Sequence, residues 1–210
     1  MDATTALWIA NILSLIGNVV ATSAAFLKSK RNILLFQSSN HVLEIIAYLF
    51  TEAYSGVTQE VISLIRNVTF VFVKTKRKAP KLIISLVCLV AGLVVGILFN
   101  IYFSDNVFYG YLPVAAAAVY AVFVILAFML NVDDLTAELF MKIGIIFNAV
   151  CWSIYGWFIR LYPVMAFNGV AFLLAAISIV RIALAKKRAA KGVDEPSTEP
   201  ASESGEGQSS

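Results

Sequence analysis

A single histidine and two cysteines are all the imidazole and thiol metal ligands that 210 residues provide. His41 and Glu44 have the i, i+3 spacing that can hold a metal on a helix, but with no second histidine in the chain no metal centre is expected. Cys88 and Cys151 each sit inside an apolar run, where cysteine behaves as a small hydrophobe. Also missing are a glycine-rich loop to cradle phosphate and a serine or cysteine nucleophile paired with a base. The chain is therefore not expected to be an enzyme, and no cofactor is implied. Charge is scarce as well. Only 14% of residues are charged against 60% hydrophobic, more apolar surface than a soluble core of this length can cover. What these absences leave is an integral membrane protein, with lipid as its first partner.

The cations are grouped in short flanks: Lys28, Lys30, Arg31, the run "KTKRK" at 74–78 and "KKRAAK" at 186–191. No aromatic-interleaved basic surface accompanies them, so a nucleic-acid partner is not expected. Between the flanks lie seven apolar runs, at about 6–27, 33–50, 56–73, 82–103, 111–130, 140–158 and 163–184. Each is close to the roughly 20 residues that a helix needs to cross the hydrocarbon. Barrel strands would alternate over about ten residues, which these runs do not do. The expected fold is an all-α membrane protein with seven transmembrane helices.

With seven spans, every basic segment falls on one side, which puts the amino terminus outside and the carboxyl terminus in the cytoplasm. The acidic "NVDDLTAELFMK" is the one segment that departs from this bias. "MDATT" lacks a basic n-region and Asn11 interrupts the first run, so a membrane span is expected there rather than a cleaved leader. Beyond Ala185 the composition turns to Pro, Ser, Glu and Gly, so 186–210 reads as a disordered cytoplasmic tail on a membrane domain of 1–185.

A weak internal repeat relates spans 1–3 to spans 5–7. "HVLEIIAYLF" at 41–50 is similar to "NAVCWSIYGW" at 148–157, and "SLIR" at 63–66 to "SIVR" at 178–181. Two three-helix units, about 6–73 and 111–184, would then be joined by a linker helix at 82–103, a 3+1+3 layout. The linker's "GLVVG" at 92–96, with Ser85 and Cys88, forms a small-residue face suited to a homodimer.

Polar residues inside the spans carry the functional information, because each is costly in lipid unless it faces protein or water. Asn11, Ser14, Asn18 and Thr22 form one stripe on span 1. Gln37, His41, Glu44 and Tyr48 share a face of span 2, and span 3 adds Gln59, Glu60, Ser63, Arg66 and Asn67. At about 1.5 Å per residue, Glu44 is within arginine reach of Arg66 in depth and is its expected ion partner. Span 6 carries Asn148, Trp152 and Tyr155 on one face. Span 7 carries Asn168 and, nearer its end, Arg181.

The stretch "LLFQSSNHVLEIIAYLFTEAYSGVTQEVISLIRNVTF" resembles the bacterial YgjV-type inner-membrane family through Phe36, Gln37, Tyr48, Gly56, Arg66, Asn67 and Phe70. That resemblance implies a bacterial inner-membrane location and no established activity. More distantly, the 3+1+3 layout is similar to the SWEET and PQ-loop transporters, whose units place a tryptophan and an asparagine around a central sugar. Trp152 and Asn168 fit that pattern. The first unit departs from it, with Glu44 and Glu60 at the corresponding places and Gln37 without its proline. A carboxylate pair suits a cationic, zwitterionic or proton-coupled solute better than a sugar.

The expected function is therefore small-solute transport by alternating access around a midplane polar cavity. Its candidate solute-binding residues are His41, Glu44, Glu60, Arg66, Asn67, Trp152 and Asn168, set in a polar network of Asn18, Gln37, Tyr48, Ser63 and Asn148. The alternative is an accessory or receptor-type membrane protein whose network only holds helices together.

Overall fold

The structure is a computed structural model that describes residues 2–23, 30–72, 78–103, 107–129 and 134–190. Its described residues form seven long helices: α1 (Ala3–Ser23), α2 (Lys30–Phe50), α3 (Tyr54–Phe72), α4 (Lys78–Phe103), α5 (Leu112–Met129), α6 (Asp134–Phe158) and α7 (Tyr162–Ala190). A single 3-10 turn, Phe108–Tyr111, leads into α5, and no strand occurs among the described residues. Each of the seven expected spans is helical where it is described. Two ends differ from expectation. α6 starts several residues before position 140, because "DLTAEL" has good helix formers, a Glu138–Lys142 pair one turn apart and a tie from Lys186 on α7 to Thr136. α7 runs past Ala185 to Ala190, and the rest of the expected tail lies outside the described residues.

Five helices, α1, α2, α4, α6 and α7, are long and apolar enough to cross a membrane. α3 is diluted by Gln59, Glu60, Arg66 and Asn67. The outward faces are what lipid requires: on α7, Val170, Leu173, Leu174, Ile177 and Leu184 are exposed along one stripe, and α4 presents Ile83, Val87, Val90 and Val94 in the same way. Trp8, Tyr102, Phe108, Trp157 and Tyr162 are exposed at the end of the bundle where α1 begins, as in an interfacial aromatic belt.

Each helix packs on the next in chain order. In addition α1 touches α7, and α3 touches α5. The α3–α5 contact leaves α4 on the outside, leaning on both. The glycines of "GLVVG" make this possible: a Cβ on Gly96 would lie 2.6 Å from Gln59 Nε2 and 2.7 Å from Val114 Cγ2. The surface expected to join a second copy is therefore filled by α3 and α5 of the same chain. Gln59, buried, fixes the contact by donating from Nε2 to the Gly92 carbonyl at 2.8 Å.

The α2–α3 and α6–α7 loops have the same conformation. Glu52 and Arg160 take the left-handed backbone region, with φ of 55° and 59°. Ala53 N donates to Tyr48 O at 2.9 Å and Leu161 N to Gly156 O at 2.9 Å. Glu52 N bonds Leu49 O at 3.3 Å and Arg160 N bonds Trp157 O at 3.2 Å. Both are Schellman helix ends, which satisfy carbonyls that a helix terminus leaves open. The paired residues 48/156, 49/157, 52/160 and 53/161 all differ by 108. This register aligns Glu44 with Trp152 and Glu60 with Asn168. It also aligns Arg66 with Leu174, so Arg181 is not the counterpart of Arg66 that the "SLIR" and "SIVR" match implied.

Candidate functional site

The first three helices close around two carboxylates. Glu44, 3% exposed on α2, accepts from Ser14 Oγ at 2.9 Å and from Asn18 Nδ2 at 2.6 Å, both on its Oε1. Its other oxygen, Oε2, is buried and has no hydrogen-bond partner among the described residues. The stripe read on α1 thus faces inward and meets α2. Next to it Glu60 Oε2 pairs with Nδ1 of His41, and Asn67 Nδ2 lies 3.1 Å from His41 Nε2. Both ring nitrogens of His41 are thus held, one by Glu60 and one by Asn67. Glu44 and Glu60 are neighbours, and Tyr48 lies near both.

Arg66 does not join this cluster. The expected Glu44–Arg66 ion pair is not formed, since Glu44 is held from α1 and the only described partner of Glu60 is His41. Arg66 is half-buried and has no ion-pair partner among the described residues. Gln37 is also corrected: it is exposed on α2, and its neighbour Ser38 is the buried residue. One position of a helix is a rotation of about 100°, which carries Gln37 out of the interior. Ser63 and Asn148 are half-buried with no hydrogen bond in the described structure.

Above Glu44, toward the end where α1 begins, lies a layer of rings. Tyr48 from α2 stacks on Trp152 from α6 with centroids 5.8 Å apart, and Tyr155 closes on both at 6.1 and 5.7 Å. The Tyr155 hydroxyl is bonded throughout. It accepts from Gly56 N at 3.1 Å, shares a 3.2 Å contact with Ser55 Oγ and donates to Ala53 O at 3.3 Å. Gly56 is in the first turn of α3, where backbone N–H groups lack intrahelical partners. A tyrosine of α6 therefore caps α3. The second shared turn is capped in return: Asn11 of α1 accepts from Tyr162 N, the first residue of α7, at 3.1 Å and donates to Arg160 O at 3.1 Å. Trp152 joins this layer, whereas Asn168 bonds back to Val164 O in its own helix at 2.8 Å.

A cavity of about 250 Å³ lies beyond the ring layer, at the end of the bundle, between the α2–α3 loop, the α4–α5 connection and Tyr155. The midplane cavity expected from the sequence is not where this space is found. The acids, His41 and Asn67 bond to one another or to α1, and Trp152 packs on Tyr48. The sequence reading also missed Asn100, fully buried on α4, whose Nδ2 donates to Val107 O at 3.1 Å and so ties down the chain that walls the cavity. Its signal was a lone amide in the apolar "ILFNIYF".

Apolar outer faces, an aromatic belt and a polar interior define a helical integral membrane protein. A sequence profile of the Imp-YgjV family, described as bacterial inner membrane protein, matches residues 8–186. The chain belongs to this family, and it is a multi-pass protein of the bacterial inner membrane. No curated protein and no solved structure matches it, so the likeness to SWEET and PQ-loop transporters has no support from these comparisons.

Proposed function

We propose that the chain is a small-solute transporter working by alternating access between two three-helix units, α1–α3 and α5–α7, with its amino terminus outside. The carrying observation is Glu44: a carboxylate fully inside a membrane bundle, with one oxygen held and the other unpartnered, beside a second carboxylate. A charged or polar group left unpaired in an apolar interior costs several kcal/mol, so such an arrangement is costly as mere scaffolding. The shared turns and their reciprocal caps from the opposite unit support two like bodies that meet through α1 and α7, α3 and α5, and the Tyr48–Trp152 stack. In this reading the structure is a closed state, with the Tyr48–Trp152–Tyr155 layer separating the end cavity from the acids. The basic residues Arg31, Lys78 and Lys187 lie at the opposite end, which supports the orientation.

The competing reading is a non-transporting accessory or receptor-type protein. It is favoured by one observation: the His41–Glu60–Asn67 chain closes within α2 and α3, as a structural staple would. Reconstituted protein separates the two. Transport predicts uptake of some solute from a broad panel by proteoliposomes and its loss in Glu44→Gln, a variant that keeps an acceptor for Ser14 and Asn18. Absence of any uptake, or equal uptake by the variant, rejects transport through Glu44.

A further inference from the structure

The walls of the end cavity decide which solute chemistry they can hold. Among the described residues, four aromatics line it, Tyr54, Phe103, Tyr109 and Tyr155, with Glu52 and Ser55 among the rest, and no lysine, arginine or histidine does. Tyr54 lies against Phe103 with ring centroids 6.1 Å apart, and Tyr109 against Tyr155 at 6.5 Å, so the rings form two pairs. Of the hydroxyls on the wall, Thr51 Oγ1 donates to Tyr48 O at 3.2 Å and Ser55 Oγ bonds the Tyr155 hydroxyl. Those of Tyr54 and Tyr109 have no hydrogen bond among the described residues. A sugar needs several free donors and acceptors, and two phenols are few for that. The other features of the wall are its aromatic rings and the carboxylate of Glu52, exposed and without an ion-pair partner among the described residues. Aromatic faces with an acid and no competing cation are the chemistry that recognises an ammonium group. At about 250 Å³ the space is also below the roughly 300–1,000 Å³ of sites for drug-sized ligands, so the occupant is small.

We propose that the solute is a small organic cation, an amine or quaternary ammonium, seated first among Tyr54, Phe103, Tyr109 and Tyr155 with Glu52 at the edge. The seat stands on the cavity alone. That its occupant goes on to cross the membrane rests on the transport reading, and inward of the ring layer the next acidic side chains are Glu44 and Glu60.

The test is equilibrium binding to the full chain in lipid nanodiscs, with choline and tetramethylammonium as probes. The control is the neutral analogue of choline in which carbon replaces the quaternary nitrogen. Choline is expected to bind about tenfold or more tighter than this analogue, which has the same shape and no charge. Glu52→Gln and Phe103→Leu, both at exposed positions, should each weaken it by about three- to tenfold while the melting temperature stays put. Equal affinity for the neutral analogue, no cation binding, or undiminished binding in both variants overturns the proposal. The two readings fail separately. Cation binding without flux of the same cation rejects transport and leaves the seat, whereas flux of another solute without cation binding rejects the seat and leaves transport.

Discussion

Replacing Tyr155 by phenylalanine removes one oxygen and tests how the two halves of the bundle are held together. The ring keeps its contacts with Tyr48 and Trp152, so little packing is lost. Of the three groups around the hydroxyl, Ala53 O still accepts from Val57 N at 3.1 Å, and Ser55 Oγ is free to rotate to another acceptor. Gly56 N–H has no such recourse. It sits in the first turn of α3, where no earlier helical carbonyl accepts from it, and its 3.1 Å bond to Tyr155 is its described partner. A buried donor left without an acceptor costs about 1–3 kcal/mol, so Tyr155→Phe should lose about that much. Ser55→Ala strands no backbone donor and should lose less, about 0.5–1 kcal/mol. Equilibrium unfolding in mixed micelles, followed by far-UV circular dichroism, measures both. If Tyr155→Phe matches the parent within about 0.3 kcal/mol, or Ser55→Ala proves the worse of the two, the cap is not what holds α3 to α6.

Gly110→Ala would place a Cβ 1.8 Å from Asn100 Oδ1, and because Asn100 is fully buried it should cost about 2–4 kcal/mol. Adding Asn100→Ala should recover part of that loss in a double-mutant cycle, and strict additivity would show that the two side chains do not collide. Asn11→Ala removes the cap on α7 and its bond to Arg160 O at an exposed position, for an expected loss of about 1 kcal/mol. Hydrogen exchange at Tyr162 should accelerate in the same variant, and unchanged exchange there would refute the cap. Asn67→Leu takes the N–H away from His41 Nε2 in a buried setting and should cost about 1–3 kcal/mol. A stability gain in this variant would mean that the amide is not paired with the imidazole.

Class and helix count were legible because lipid imposes them one segment at a time: a run must be long, apolar and helical to cross, and composition reports each condition directly. The membership carried by Phe36, Gln37, Arg66 and Asn67 was legible for a related reason, since it is local in the chain. Helix faces were legible to within about one position. Glu44 and Asn18 share a face with their partners, yet a single step of rotation separates exposed Gln37 from buried Ser38.

Partner choice was not legible. Depth alone matched Glu44 to Arg66, but it is Ser14 and Asn18 that reach Glu44, from α1. Nor did spacing reveal that "GLVVG" would be filled by Gln59 and Val114, or that Tyr155 and Asn11 would cap helices about 100 and 150 residues away in the chain. The sequence by itself determined that this chain is a bundle of membrane helices with acids inside. Only the tertiary structure decided which acid meets which donor and where the empty space lies, because burial is a property of one helix face whereas a hydrogen bond needs two helices in register.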